Sequence, residues 1–175
     1  FDHNTTNVTL QVRTKDYSFN DSGLVGWWDL GDEAGTGLDP INKTPDLSGY
    51  GNTGTLGNAT AGTQPALNTT DCKVGSCYTF DGVDDLVNVS QSSSFNFGAS
   101  QSFTVSAWVL LKTVSGNKVI LQKGTTDANE ELILGAVGSD AYWDWGGNTA
   151  YRQGGTLSAN VWQHVVARYN GDNTG

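Results

Sequence analysis

The sequence predicts an all-β chain folded as a two-sheet antiparallel sandwich. Short apolar runs rich in β-branched and aromatic residues recur along it, each bounded by Gly, Asn, Asp or Ser. Glycine makes up 23 of 175 residues, which favours frequent turns and weakens any long helix. No segment holds a helical apolar period over the length a helix needs. The pattern amounts to about eight or nine strands without a helix, and layered packing then leaves a sandwich.

Residues 9–14 (TLQVRT) alternate and form the first expected strand. Residues 24–30 (LVGWWDL) are apolar, aromatic and short, and are expected to form another. From Gly31 to Ala66 the chain is polar and glycine-rich, densest in PDLSGYGNTGTLG, and reads as one long loop. Its glycines favour positive φ angles and inward carbonyls, and a loop of that length usually has a function. Strands resume at residues 76–80, then after a DGVDD turn at 86–90, 102–111, 119–122, 132–137, 141–145 and 161–169. In SFTVSAWVLL, Phe103, Val105, Ala107 and Val109 share one face and Trp108 lies on the other. VWQHVVARY could pass for a helical turn, but its β-branched content and shortness favour a strand.

The formal net charge is -9, with 9 Lys+Arg against 18 Asp+Glu and no basic cluster. That excludes a nucleic-acid footprint and disfavours an anionic membrane surface. No run approaches the roughly 20 apolar residues of a membrane span, so no direct membrane insertion is expected. Cations and neutral ligands such as glycans suit this charge better. Cys72 and Cys77 sit in DCKVGSCYTF, where Gly75 and Ser76 permit a tight turn. Metal binding would want further thiols or nearby histidines, so a disulfide is the favoured reading. Loop entropy makes it worth about 2 kcal/mol, and it points to an oxidising compartment. Asn4, Asn7, Asn20, Asn42, Asn58, Asn68 and Asn88 each precede x-Ser/Thr without proline. Glycosylation there would require secretion and surface exposure, so an extracellular or cell-surface glycoprotein is expected.

The motifs GLVGWWDLGDEAGTG, DLSGYGNTGTL, FDGVDDLVNV, SFTVSAWV and WQHVVARYNGDNTG, in that order, resemble the laminin-G-like jelly-roll family of the concanavalin A-like lectin and glucanase superfamily. The likeness covers roughly Gly23 to Gly175 and implies a jelly-roll domain over 23–175. Members usually continue past a YNGDNTG-like turn, so the resemblance implies further C-terminal strands and a longer natural chain. Residues 1–22, with TLQVRTKDYS, look like a linker or the tail of a preceding β module. A module of a larger cell-surface protein is the expected setting, with a role in adhesion.

Asp81, Asp84 and Asp85 crowd one turn, and packed carboxylates repel unless a cation lies between them. In the resembled family a calcium site often forms where the glycine-rich loop meets the FDGxxD turn. Carried over by motif, that implicates Asp46, Asn52, Asp81 and Asp85. Turn capping by Asx hydrogen bonds is the competing reading. For a ligand, Tyr142 to Gln153 is a polar-aromatic stretch, from which Trp143, Trp145, Tyr151 and Arg152 are the candidate contacts. Alternation puts Trp143 and Trp145 on one face and Asp144 on the other; facing inward, those tryptophans would be core. Trp27, Trp28, Trp108 and Trp162 are expected to be packing residues. The paired-carboxylate ExDxxE pattern of the superfamily's glycosidases is absent, Glu130 and Glu131 are adjacent and Glu33 is isolated. The only histidines are His3 and His164. No catalytic residue is therefore assigned, and no enzyme is expected. The partner is expected to be a carbohydrate or a surface protein. Alternatively, the chain is a building block of a surface layer, filament or appendage that contacts copies of itself.

Overall fold

Every strand ladder among the described residues is antiparallel. Those residues are 23–31, 42–98, 100–124, 130–146 and 152–171 of a computed structural model. The strand expected at 9–14 and the sequons at Asn4, Asn7 and Asn20 lie outside them. Apart from two single 3-10 turns, all regular structure described is β. The chain gathers into two units, Phe1–Asn96 and Phe97–Gly175.

The first unit is built from very short strands: β1 (Lys43–Thr44), β2 (Gly54–Leu56), β3 (Ala66–Asn68), β4 (Cys77–Thr79) and β5 (Val87–Val89). Its sheet has the order β1-β2-β5, and β3 pairs with β4 as a separate hairpin. The Cys72–Cys77 disulfide closes that hairpin, with Cα atoms 5.5 Å apart. Two expectations are corrected here. Residues 31–66 are not one structureless loop, because β1 and β2 lie within them and β3 begins at Ala66. Gly54 permits this: a Cβ there would sit 2.7 Å from both Thr44 Cγ2 and Val87 Cγ1. Residues 24–30 join no ladder among the described residues. Their polar groups bond to the loop after β1 instead, as when Leu47 N–H donates to Trp27 O at 2.8 Å. Leu30 then turns the chain through the left-handed region at φ 53.

The second unit contains β6 (Phe103–Leu110), β7 (Asn117–Gly124), β8 (Glu130–Val137), β9 (Asp140–Trp145), β10 (Arg152–Thr156) and β11 (Trp162–Tyr169). β10-β9-β8-β7 form one sheet and β11-β6 a second, two-stranded one. Strand alternation supplies an apolar face to each. Leu134, Ala136 and Ala141 from the four-stranded sheet meet Val165 and Ala167 of β11, with Val105, Val109, Ile120, Leu121 and Trp143 packed around them. At one end Phe103 stacks on Phe97 (4.5 Å between centroids) and meets Trp145 edge-on at 4.7 Å, while Tyr169 lies 5.5 Å from Phe103 and 5.7 Å from Trp145. Two layers closed over one apolar interior make this unit a sandwich.

With Val105 and Val109 inward, alternation turns Trp108 outward, where it stacks on His164 at 5.1 Å. Trp162 shares that outer face, opposite Leu110.

Leu134, at 2% exposure, sits at the centre of this interior. Leu134→Ala is expected to cost about 2–5 kcal/mol, seen as a lower urea midpoint with an unchanged slope. A cost under about 1 kcal/mol would contradict this placement.

Candidate functional site

Asp46 organises the glycine-rich loop. Its Oδ1 accepts the N–H groups of Trp27 (3.0 Å) and Ser48 (2.9 Å), and its Oδ2 accepts that of Asn52 (2.9 Å). The Ser48 side chain also bonds to this carboxylate. Burial acts as the largest single influence and raises the Asp46 pKa, but the bonds from Ser48, Trp27 and Asn52 together hold it below its usual 3.8. Asn52 is buried, and its Nδ2 donates to Val25 O and Ser94 Oγ, each at 2.9 Å. Its own carbonyl accepts Trp28 Nε1 at 2.8 Å. Through the bonds to Trp27, Val25 and Trp28, these two residues latch residues 25–28 to the loop. Gly49 and Gly51 adopt the positive φ that the sequence led one to expect there.

The DGVDD turn uses a second carboxylate in the same way. Asp81 Oδ1 accepts the N–H of Val83 at 2.8 Å and that of Asp84 at 3.4 Å, while Asp81 N–H donates to Asp85 Oδ2 at 2.8 Å. The Val83 bond, with those of Asp84 and Asp85 behind it, holds the Asp81 carboxyl below its usual value. Asp81, Asp84 and Asp85 bring one oxygen each within 4.8 Å of one another. Three carboxylate oxygens so placed could contribute to a hard-cation site that water would have to complete.

The four residues expected to contact a ligand are placed as follows. Trp143 packs against the interior, and Trp145 belongs to the aromatic cluster with Phe103 and Tyr169. Tyr151 lies outside the described residues, as does the side chain of Arg152, whose backbone pairs opposite Trp143. Alternation turns the neighbours of the two tryptophans to the opposite, outer face of the sheet. There Asn117, Val137, Asp140, Tyr142 and Gln153 line an open depression of about 210 Å³.

Strand register explains this grouping. Asn117 lies opposite Val137, and Val137 opposite Asp140. One row along, Tyr142 lies between Gln153 and Gly135. A Cβ at Gly135 would run into the Lys118 carbonyl oxygen and come within 2.9 Å of Tyr142 Cε1, so the glycine lets the phenol ring lie across the sheet. Two carboxamides, a carboxylate and a phenol can hydrogen-bond a ligand rich in hydroxyls. Tyr142 and Gln153 were within the stretch singled out in the sequence; Asn117 and Asp140 were not. The signal that finds them is alternation about Trp143, read together with the β8–β9 pairing.

Of the remaining sequons, Asn58 and Asn88 are exposed and face each other, Asn88 Nδ2 donating to Asn58 Oδ1 at 3.1 Å. Asn68 Oδ1 accepts from Thr70 N and Oγ1 at 2.9 and 3.1 Å. Asn42 precedes β1, and Thr44 of the same sequon is fully buried.

A laminin-G-type family model, described as the concanavalin A-like lectin/glucanases superfamily, matches residues 81–175. The match covers more than half of the chain, and the chain belongs to that superfamily. No curated protein and no solved structure matches it.

The Asp46 latch has a pH signature. Its carboxyl titrates below its unfolded value, so its stabilising effect is complete above pH 3.8 and is lost as the pH falls through the lowered value. Asp46→Asn is expected to destabilise the chain at neutral pH and to flatten the acid limb of its stability profile, measured by urea unfolding across pH. An unchanged acid limb would contradict the latch.

Proposed function

We propose that the chain is a non-catalytic binding and adhesion module of a larger extracellular protein, and that the outer-face depression receives a saccharide. The depression carries this reading. Asp140 would accept from neighbouring sugar hydroxyls, Asn117 and Gln153 would donate and accept, and Tyr142, at 6% exposure, would form the floor. The Cys72–Cys77 disulfide and the exposed Asn58 and Asn88 support a position outside the cell. Among the described residues no helix is long and apolar enough to cross a membrane.

Calcium belongs to this proposal as a structural ion at Asp81, Asp84 and Asp85. It would offset the mutual repulsion of three carboxylates and fix the turn. Asp46 and Asn52, which the family motif would add, support the glycine-rich loop through the bonds described above. Calcium is expected to raise the melting temperature of the chain, and Asp84→Asn to weaken that response about tenfold in calcium concentration. A melting temperature indifferent to calcium would remove the ion from the account.

The saccharide reading is tested on an array of neutral glycans. The chain is expected to retain a defined set, and Asp140→Ala to weaken retention at least about tenfold, the cost of losing a charge-assisted hydrogen bond. Unchanged retention by Asp140→Ala would contradict it. Self-association is a second reading, favoured by β6 and β11, each of which shows one unpaired edge among the described residues. Light scattering on the same samples separates the two, since growth of the particle with concentration belongs only to self-association.

A further inference from the structure

We propose that Asn170 is a site of spontaneous covalent modification, where the folded chain converts the side-chain amide to an aspartyl or isoaspartyl residue through a cyclic imide formed with Gly171. The proposal does not depend on the saccharide reading. Asn170 and Gly171 are the only Asn-Gly dipeptide in the sequence. They follow directly on Tyr169, the last residue of β11.

Asparagine is among the chemically labile residues. Its amide is lost when the backbone nitrogen of the next residue attacks the side-chain carbon. That requires an unshielded nitrogen and a carboxamide free to turn towards it. Gly171 has no side chain beside its nitrogen. Asn170 is exposed. Among the described residues, neither the Asn170 carboxamide nor the Gly171 N–H takes part in a hydrogen bond. The carboxamides of Asn52, Asn68 and Asn88, by contrast, are all engaged. So is the carboxylate of the one Asp-Gly dipeptide, where Asp81 Oδ1 accepts the N–H groups of Val83 and Asp84.

The step balances without a redox partner. The Gly171 nitrogen gives its proton to solvent base and bonds to Asn170 Cγ. The Cγ–Nδ2 bond breaks, and ammonia leaves. Water then opens the five-membered imide. Opening at the side-chain carbonyl gives aspartate in a normal main chain. Opening at the backbone carbonyl gives isoaspartate, with the main chain routed through the former side chain.

The fold fixes both the glycine and the consequence of the reaction. Gly171 has φ 77, and a Cβ on it would lie 2.6 Å from the Ser100 carbonyl oxygen and 2.8 Å from its carbon. No side chain can be placed there to shield the nitrogen without strain. The same closeness leaves no slack for a longer backbone. Isoaspartate adds one C–C bond to the main chain, about 1.5 Å. The extra length enters between the Ser100 contact and Tyr169, which is buried against Phe103 and Trp145. A close-packed cluster transmits such a shift, so the product loosens the end of β11.

The test incubates the folded chain in mildly acidic and mildly alkaline buffer beside the chain unfolded in urea. Peptide mapping by mass spectrometry locates the conversion of amide to acid, and an isoaspartyl methyltransferase reports the isoaspartate. The expected result is conversion at Asn170 in the folded chain at a rate close to that of the unfolded chain. It is expected to be faster in alkaline buffer, because the attacking nitrogen must lose its proton, and to be lost in Asn170→Gln, which would have to close a larger ring. The isoaspartyl fraction, separated by ion exchange, is expected to show a lower urea midpoint than the fresh chain, while Asn170→Asp, which carries the charge without the added length, stays near the fresh value. An Asn170 that survives in the folded chain while the unfolded chain reacts would overturn the proposal, since the fold would then protect the amide. An isoaspartyl fraction as stable as the fresh chain would overturn the structural consequence.

Discussion

The second unit depends on the contact between its two layers. Leu134, Ala136 and Ala141 on one side and Val165 and Ala167 on the other form a single apolar interior. A two-stranded ribbon such as β6–β11 is marginal alone and gains independent stability only by packing one face. The aromatic group of Phe97, Phe103, Trp145 and Tyr169 joins β6, β9 and β11 at one end of that interior. Because a strand points alternate residues to opposite sides, committing Trp143, Trp145, Val165 and Ala167 inward fixes what faces solvent. The proposed saccharide surface is a consequence of that commitment: the depression lies on the face opposite Trp143.

In the first unit side chains replace much of the usual ladder. Asp46 and Asn52 connect to Trp27 and Val25 across sequence separations of 19 and 27 residues. Backbone groups that would otherwise need strand partners are satisfied by one carboxylate and one carboxamide. The DGVDD turn repeats the device with Asp81 and Asp85 over a much shorter span. A carboxylate that receives several N–H bonds is stabilised as an anion, which explains the lowered pKa at Asp46 and Asp81.

The parts of the fold legible in the sequence are those with sustained alternation. β6, β8, β9 and β11 are five or more residues of alternating or continuously apolar character, and each was expected within a residue or two of where it lies. β1 (KT), β2 (GTL) and β3 (ALN) were hidden because they are short and sit among glycines and polar residues, whereas the equally short β4 and β5 lie inside longer alternating or apolar runs; β10 was hidden because Gly154 and Gly155 carry no side chain to show a period. Residues 24–30 look like a strand by composition, yet their bonds go to single side-chain and backbone groups of a distant loop, at Asp46, Leu47 and Asn52, which local patterning does not encode. For the site, aromatic density drew attention to Trp143 and Trp145, while the depression belongs to the residues that alternate with them. Asn117 joins it only through the β7–β8 pairing, a long-range fact. The acidic turn was visible directly, since its three aspartates are nearly consecutive.

The central claim is that the inner face is sealed and that ligands are met on the outer faces. Nuclear magnetic resonance reads this residue by residue, by following backbone amide and indole N–H signals while a neutral oligosaccharide is added. The account predicts shifts at Asp140, Tyr142 and Gln153, with the indole signals of Trp143 and Trp145 unmoved. Large shifts at those two indoles with the outer-face residues silent would contradict it.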